Sequence, residues 1–179
     1  KIAIIYATGE INMGNAIDGA IGSDGISKVI REARRDSTIK AIVLRVNSPG
    51  GSALASEVIW REMVLAKQVK PVIVSMGDVA ASGGYYIAAP ADTILADPTT
   101  ITGSIGVFGM YFNVKDGLSG KLGINVETVS TNKHADFGSM YRPMTAEERS
   151  VAQLGVEDIY QTFIGHVSEG RKISVASVD

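Results

Sequence analysis

The sequence predicts an α/β fold with a mostly parallel sheet and flanking helices, and three observations carry that prediction. Short β-branched runs alternate with stretches of helical periodicity along the whole chain, the pattern of strand–helix–strand units. Two of those runs, Ala41 to Val46 and Val72 to Met76, pass directly into glycine-rich turns that open helices. A length of 179 residues at 45% hydrophobic content suffices to bury one sizeable core, so a single domain over residues 1–179 is expected.

Taken in order, Ile2 to Tyr6 reads as a buried strand. Gly9 to Ser23 is glycine-rich and weakly patterned, with Met13, Ile17 and Ile21 scattered through it, and reads as a connecting loop. Ile26, Val29, Ile30 and Ala33 then recur at helical spacing, with Lys28, Arg31, Arg34 and Arg35 on the other side as a solvated face. The strand Ala41 to Val46 runs through Asn47-Ser48-Pro49-Gly50-Gly51-Ser52 into a helix over roughly Leu54 to Gln68. Val72 to Met76 is the next strand, Tyr85 to Ala89 an apolar helix ended by Pro90, and Thr93 to Ala96 a short strand. Phe112 to Gly123 holds a helix, Val126 to Ser130 a strand, and Thr131 to Arg142 a polar loop with Lys133, His134 and Asp136. The last helix opens at Pro143-Met144-Thr145, where Thr145 and Glu148 form a capping box, and Val151, Leu154, Ile159, Phe163 and Val167 make its apolar stripe. His166 near its end has no companion in the sequence and reads as structural.

Composition narrows the function. A formal charge of −2, with no basic run and no aromatic-interleaved basic patch, argues against a nucleic-acid partner. The absence of cysteine removes disulfides and thiolate chemistry without naming a compartment. No run in these residues is apolar over a length that spans a bilayer, and no signal peptide opens them. A chain that begins inside a strand-like run and ends on Ser177-Val178-Asp179 without a stop signal is expected to be a fragment of something longer, with its targeting information elsewhere.

Chemistry concentrates at Gly77-Asp78-Val79-Ala80-Ala81-Ser82-Gly83-Gly84-Tyr85-Tyr86. Ser82 there follows a strand and precedes a helix, so free amides and a positive dipole end lie nearby, a setting that suits a nucleophile whose attack creates an oxyanion. The competing reading is a tight turn whose serine caps the helix. Gly50 and Gly51 stand at a second strand-to-helix turn, which lacks both the G-x-x-x-x-G-K-[ST] and the G-x-G-x-x-G spacing and so does not read as a nucleotide site. Their amides can instead face a developing oxyanion, since no Cβ blocks the approach. In Thr102-Gly103-Ser104-Ile105-Gly106-Val107, Ser104 is either a β-turn serine or a second hydroxyl near the first.

Asn47 to Gly51, Gly77 to Tyr86, Thr102 to Val107, and Tyr141-Arg142-Pro143-Met144-Thr145 followed by Glu147-Glu148-Arg149 together resemble the signal peptide peptidase A, or protease IV, family. The four motifs keep the family's order and spacing over almost the whole chain, which looks most like the C-terminal half of the long, tandem-domain enterobacterial members. The resemblance implies a Clp-protease/crotonase-like fold, no cofactor, and a serine endopeptidase that cleaves remnant signal peptides at the periplasmic face of the bacterial inner membrane, anchored through a segment outside these residues. It also implies ring-shaped homo-oligomers. Ser82 then matches the nucleophile, the amides of Gly83 and Gly51 the oxyanion hole, and Ser104 the serine that helps position the base.

That base is a lysine in the family, and burial must lower its pKa from about 10.4 before it can accept a proton. Single-domain members carry it in a Ser-Gly-x-x-Lys-Asp stretch, whereas this chain reads Ser130-Thr131-Asn132-Lys133-His134-Ala135-Asp136, with Ala135 at the lysine position. Three sources of a base remain. The preferred one is a lysine from the other half of the full polypeptide. Lys133 is the second, two residues away, which keeps the same face of an extended strand while moving its Cα roughly 6–7 Å. A Ser82–His134–Asp136 triad is the third. Outside peptidase chemistry, the same fold hosts acyl-CoA enzymes that stabilise an enolate with two amides, and a non-catalytic assembly half-domain is also open. For a peptidase the substrate is expected to bind extended, with a small or medium apolar side chain in a pocket lined partly by Tyr85 and Tyr86.

Overall fold

The computed structural model describes residues 1–15 and 19–179, so Ile17 of the expected Gly9 to Ser23 loop lies outside the described residues. The chain divides into two compact units, Lys1–Gly106 with Tyr160–Asp179, and Val107–Ile159.

In the first unit, strands β1 (Ile2–Thr8), β4 (Ala41–Ser48), β5 (Val72–Ala81) and β6 (Thr93–Leu95) form a sheet in the order β1-β4-β5-β6, with β7 (Ile101–Gly103) also on β5. Every pairing in it is parallel. Helices α1 (Ser23–Arg35), α2 (Ala53–Lys67) and α3 (Gly83–Ala88) follow β3, β4 and β5, where β2 (Glu10–Asn12) and β3 (Ala20–Gly22) form a small parallel sheet of their own. The expected Gly9 to Ser23 loop is corrected accordingly, since Ile11 and Ile21 are buried core residues rather than scattered loop positions.

The main sheet buries one side only. Ile42, Leu44 and Val46 of β4 and Val72, Val74 and Met76 of β5 pack with Ile30 of α1 and with Ile59 and Met63 of α2. Each such fully buried aliphatic side chain contributes about 1.5–3 kcal/mol. On the other face Ile2, Ile4, Tyr6 and Leu95 are exposed. Ile2 to Tyr6 is therefore not the buried strand its apolar run suggests; of β1 only Ala3, half-buried, and Ile5 and Ala7, buried, pack into the core, because the helices cover one face and the side chains alternate. The basic face of α1 is also more than solvated: Arg31 donates to the buried Glu62 carboxylate of α2 at 2.7 and 3.0 Å, and Arg34 reaches its other oxygen at 3.4 Å.

The second unit contains α4 (Lys115–Leu122), ended by Gly123 in the left-handed conformation at φ 65°, and the first turns of α5 (Ala146–Arg171). The expected capping box is present, with the Glu148 amide on Thr145 Oγ1 at 3.2 Å and the Thr145 amide on Glu148 Oε2 at 2.9 Å. The expected strand Val126 to Ser130 is absent. Its residues are exposed, Val129 fully so, and lack a partner strand among the described residues, without which β-branched composition does not hold an extended segment in a ladder. The stripe on α5 is split: Phe163 and Val167 are buried in the first unit, while Val151, Leu154 and Ile159 are exposed. No described helix is long and apolar enough to cross a membrane.

Candidate active site

Strand β5 does not stop at Met76. It runs on to Ala81, so Gly77 to Ala81 is strand rather than turn, and the pairing with β4 slips from Val46↔Met76 to Ser48↔Ala80. Three residues of β5 thus stand opposite Asn47 alone. The Asn47 side chain fills that bulge by accepting the Val79 amide at 3.1 Å, and it lies so close to Gly77 that a Cβ there would meet Asn47 Oδ1 at 2.9 Å. A polar residue at the carboxyl end of a strand and a glycine opposite it were the sequence signals for this bulge, unread because register is a property of two strands.

The turn itself is one residue. Ser82 has φ 51° and ψ −120°, a conformation that a residue with a Cβ adopts only when its surroundings impose it. Its amide donates to the Gly103 carbonyl at 2.9 Å, and its carbonyl accepts the Tyr86 amide at 2.9 Å, which starts α3. The competing reading of Ser82 as a helix cap requires its side chain to bond an amide of the first turn. It does not: α3 has no side-chain cap, and among the described residues no hydrogen bond involves Ser82 Oγ.

The Gly50–Gly51 turn lies against this one. Gly51 forms an isolated parallel bridge with Ile11, in which the Ile11 amide donates to the Gly50 carbonyl at 2.8 Å and the Ser52 amide to the Ile11 carbonyl at 2.8 Å. In such a bridge the bonds come from the flanking residues, so the Gly51 amide itself points to the other side. There it meets α3: a Cβ built on Gly83 would lie 3.2 Å from the Gly51 nitrogen, 3.1 Å from the Gly50 Cα and 2.5 Å from Ser56 Oγ. A Cβ on Gly50, at φ 101°, would lie 2.5 Å from the Gly83 nitrogen and 3.0 Å from the Ser82 Cβ. Two glycine amides therefore sit beside the serine, and neither donates a hydrogen bond among the described residues. Gly83 opens α3 and has no acceptor within it. The buried Ser56 hydroxyl, spent on the Ser52 carbonyl at 3.0 Å, backs Gly83, a role with no sequence signal beyond a serine on a core-facing helix.

Ser104 follows the pair Ala81↔Gly103, so Ser82 and Ser104 are the next residues beyond matched positions of neighbouring parallel strands, whose backbones run about 4.8 Å apart. Ser104 too has positive φ, 49°, and its side chain is exposed. Tyr86, expected in a substrate pocket, is instead 4% exposed with its hydroxyl on Glu57, so any such pocket takes only the half-buried Tyr85.

In the second unit, the residues weighed as a base are engaged. Lys133 is ion-paired with Glu147, which holds that carboxyl below its ordinary range. His134 lies 3.5 Å from Glu147 and 3.9 Å from Glu148. Asp136 is not its partner: both Asp136 oxygens accept from Arg142, at 2.8 and 2.7 Å. Arg142 also grips the buried Glu148, at 2.7 and 2.6 Å, and these bonds, followed by the Thr145 amide, hold the Glu148 carboxyl far below its usual range. The Arg-Pro-Met-Thr segment is thus tied to its own helix start. Ala135 is exposed and offers no proton acceptor.

A family model described as Peptidase family S49 matches residues 65–179. The chain belongs to peptidase family S49. Ser82 and Ser104 fall within the S49 match, while a model described as Clp protease matches residues 2–97 and takes in the Gly50–Gly51 turn. Among the relatives, "Protease 4" of Salmonella typhi is 47% identical over 99% of this chain, and "Serine protease SPPA, chloroplastic" of Arabidopsis thaliana is 40% identical over all of it. The chain spans 29% and 27% of those proteins. A solved structure of a ClpP1 point mutant from Listeria monocytogenes superimposes with a TM-score of 0.55 at 16% identity, covering 98% of this chain and 75% of that one, and the Clp-protease-like α/β fold is the expected one.

Proposed function

We propose that this chain is the nucleophile-bearing part of a serine endopeptidase, with Ser82 as nucleophile. Its Oγ attacks the scissile carbonyl, its proton passes to a lysine, and the amides of Gly83 and Gly51 receive the oxyanion. The acyl-enzyme forms as the amine leaves with a proton from that lysine, and water then releases the acyl group. What supports this reading most is one observation: a serine forced to positive φ, its hydroxyl unspent, beside two unspent glycine amides. Ser104 positions the lysine from the neighbouring strand. The lysine comes from another part of the full polypeptide, consistent with Ala135 at the family's lysine position and with Lys133 committed to Glu147.

The family resemblance of the four motifs supports remnant signal peptides as the substrate, bound extended with a small or medium apolar side chain beside Tyr85. The setting is the periplasmic face of the inner membrane. The chain is a single catalytic domain from the C-terminal half of a tandem protein that assembles as a homo-oligomer and is anchored elsewhere.

A fluorophosphonate probe on the full-length protein should label Ser82, and Ser82→Ala should abolish labelling and lower peptidase kcat by at least about a thousandfold. Full activity in Ser82→Ala, or no labelling together with acyl-CoA binding, sinks the proposal. Activity of this segment with and without the remaining polypeptide, with a scan of that polypeptide's lysines, identifies the base.

A further inference from the structure

Helix α3 has six residues, too few to fix its own place through internal hydrogen bonds, yet it carries Gly83 at its first position and Ser82 just before it. Something outside it must hold it. One turn after Ser82, the Tyr86 hydroxyl donates to Glu57 Oε2 of α2 at 2.5 Å. Glu57 directly follows Ser56, which backs Gly83, and α2 itself begins from Ser52, immediately after Gly51. A single helix therefore carries both the Gly51 turn and the anchor of α3. The same Glu57 oxygen meets His166 Nε2 of α5 at 3.0 Å. The His166 ring stacks on Trp60 of α2, with centroids 3.5 Å apart and planes at 14°, and meets the Tyr86 ring edge-on. Phe163 packs against Tyr86 at 4.6 Å. Burial, then the bond to Glu57 and its charge, raise the Tyr86 phenol far above its ordinary range, so it stays a neutral donor.

We propose that the Glu57–Tyr86 hydrogen bond, braced by His166 and Trp60, is a positioning device that sets the Gly83 amide against the Gly51 amide. The inference rests on the reading of Ser82 as nucleophile and of those amides as the oxyanion site. Tyr86 and Glu57 are positioning residues, acting through α3. Their loss misaims a donor needed most in the transition state, so kcat falls while KM holds.

The test uses the full-length protein below its unfolding range. Tyr86→Phe keeps the ring on Phe163 and removes the hydroxyl; kcat should fall about tenfold with KM within about twofold. Glu57→Ala, at a side chain 40% exposed, should give the same loss and carries the test where Tyr86→Phe misfolds. Glu57→Gln, which keeps an acceptor for the phenol, should recover most of kcat. The double variant Tyr86→Phe/Glu57→Ala should be no worse than either single one. Wild-type kcat in Tyr86→Phe and Glu57→Ala, losses that multiply in the double variant, or a rise in KM at constant kcat would each overturn the device. With wild type labelled at Ser82 and turning over peptide, any of these leaves the nucleophile reading standing. Full activity in Ser82→Ala removes that reading and the device with it.

Discussion

Ser82 and Lys133 are both polar residues outside the regular elements, and they differ in what holds them. Around Ser82 the constraint is backbone: a strand hydrogen bond on one side, a helix start on the other, and glycines packed so closely that no Cβ fits. The side chain is left unspent. Around Lys133 the backbone is an exposed turn, and the side chain itself makes the contact, to Glu147. An exposed ion pair of this kind stabilises little. On the reading of Ser82 as nucleophile, the fold orders the main chain there and leaves the hydroxyl without a hydrogen bond among the described residues.

Four substitutions break or sharpen that contrast. Gly50→Ala should have the largest effect, because its Cβ would sit 2.5 Å from the Gly83 nitrogen at a φ of 101°. Full-length activity should drop by more than about a hundredfold, and stability by about 2–4 kcal/mol in thermal melts followed by circular dichroism. A near-normal enzyme would mean that the two glycine turns do not depend on their close fit.

Arg142→Ala comes next and acts on the second unit alone. It strips the buried Glu148, whose side chain is 2% exposed, of its guanidinium, and the midpoint of unfolding should fall by several degrees at pH 7. The sign with pH follows from the depressed carboxyls. Glu148 and Asp136 both titrate below their unfolded values, so their pairing stabilises fully above about pH 4.5 and is lost as pH falls through the folded-state range. The gap between wild type and Arg142→Ala should therefore be widest near neutrality and shrink toward pH 3. A gap independent of pH would show that Arg142 acts through packing instead.

The smallest effects are expected at Lys133→Ala and His134→Ala, each within about twofold of wild-type kcat. A hundredfold loss at Lys133 would make it the base and place the whole dyad in this chain.

Much of this was legible beforehand. The strands β4 and β6, the start of β5, helices α1 and α2 and the capping box at Thr145 lie within a few residues of where periodicity and turn chemistry put them. Other elements misread for identifiable reasons. Val126 to Ser130 has strand composition without a partner strand, Ile11 and Ile21 joined a two-stranded sheet that no alternation announces, and Arg31 and Arg34 found a buried Glu62 that lies 31 and 28 residues away. The site was legible as motifs but not as geometry: Ser82 and Gly51 were named from residue type and turn position and Gly83 from the family resemblance, while Asn47, Ser56 and Glu57 act through neighbours remote in the chain.

By itself the sequence determined the parallel α/β architecture, the family and the residue types of the site, because hydrophobic period, glycine placement and short motifs are local properties. Only the tertiary structure decided that Ser82 is not a cap, that its neighbours' amides donate no hydrogen bond among the described residues, and that Lys133 is already paired. Those are facts about which hydrogen bonds are made across strands and helices distant in sequence, and a linear pattern cannot count them.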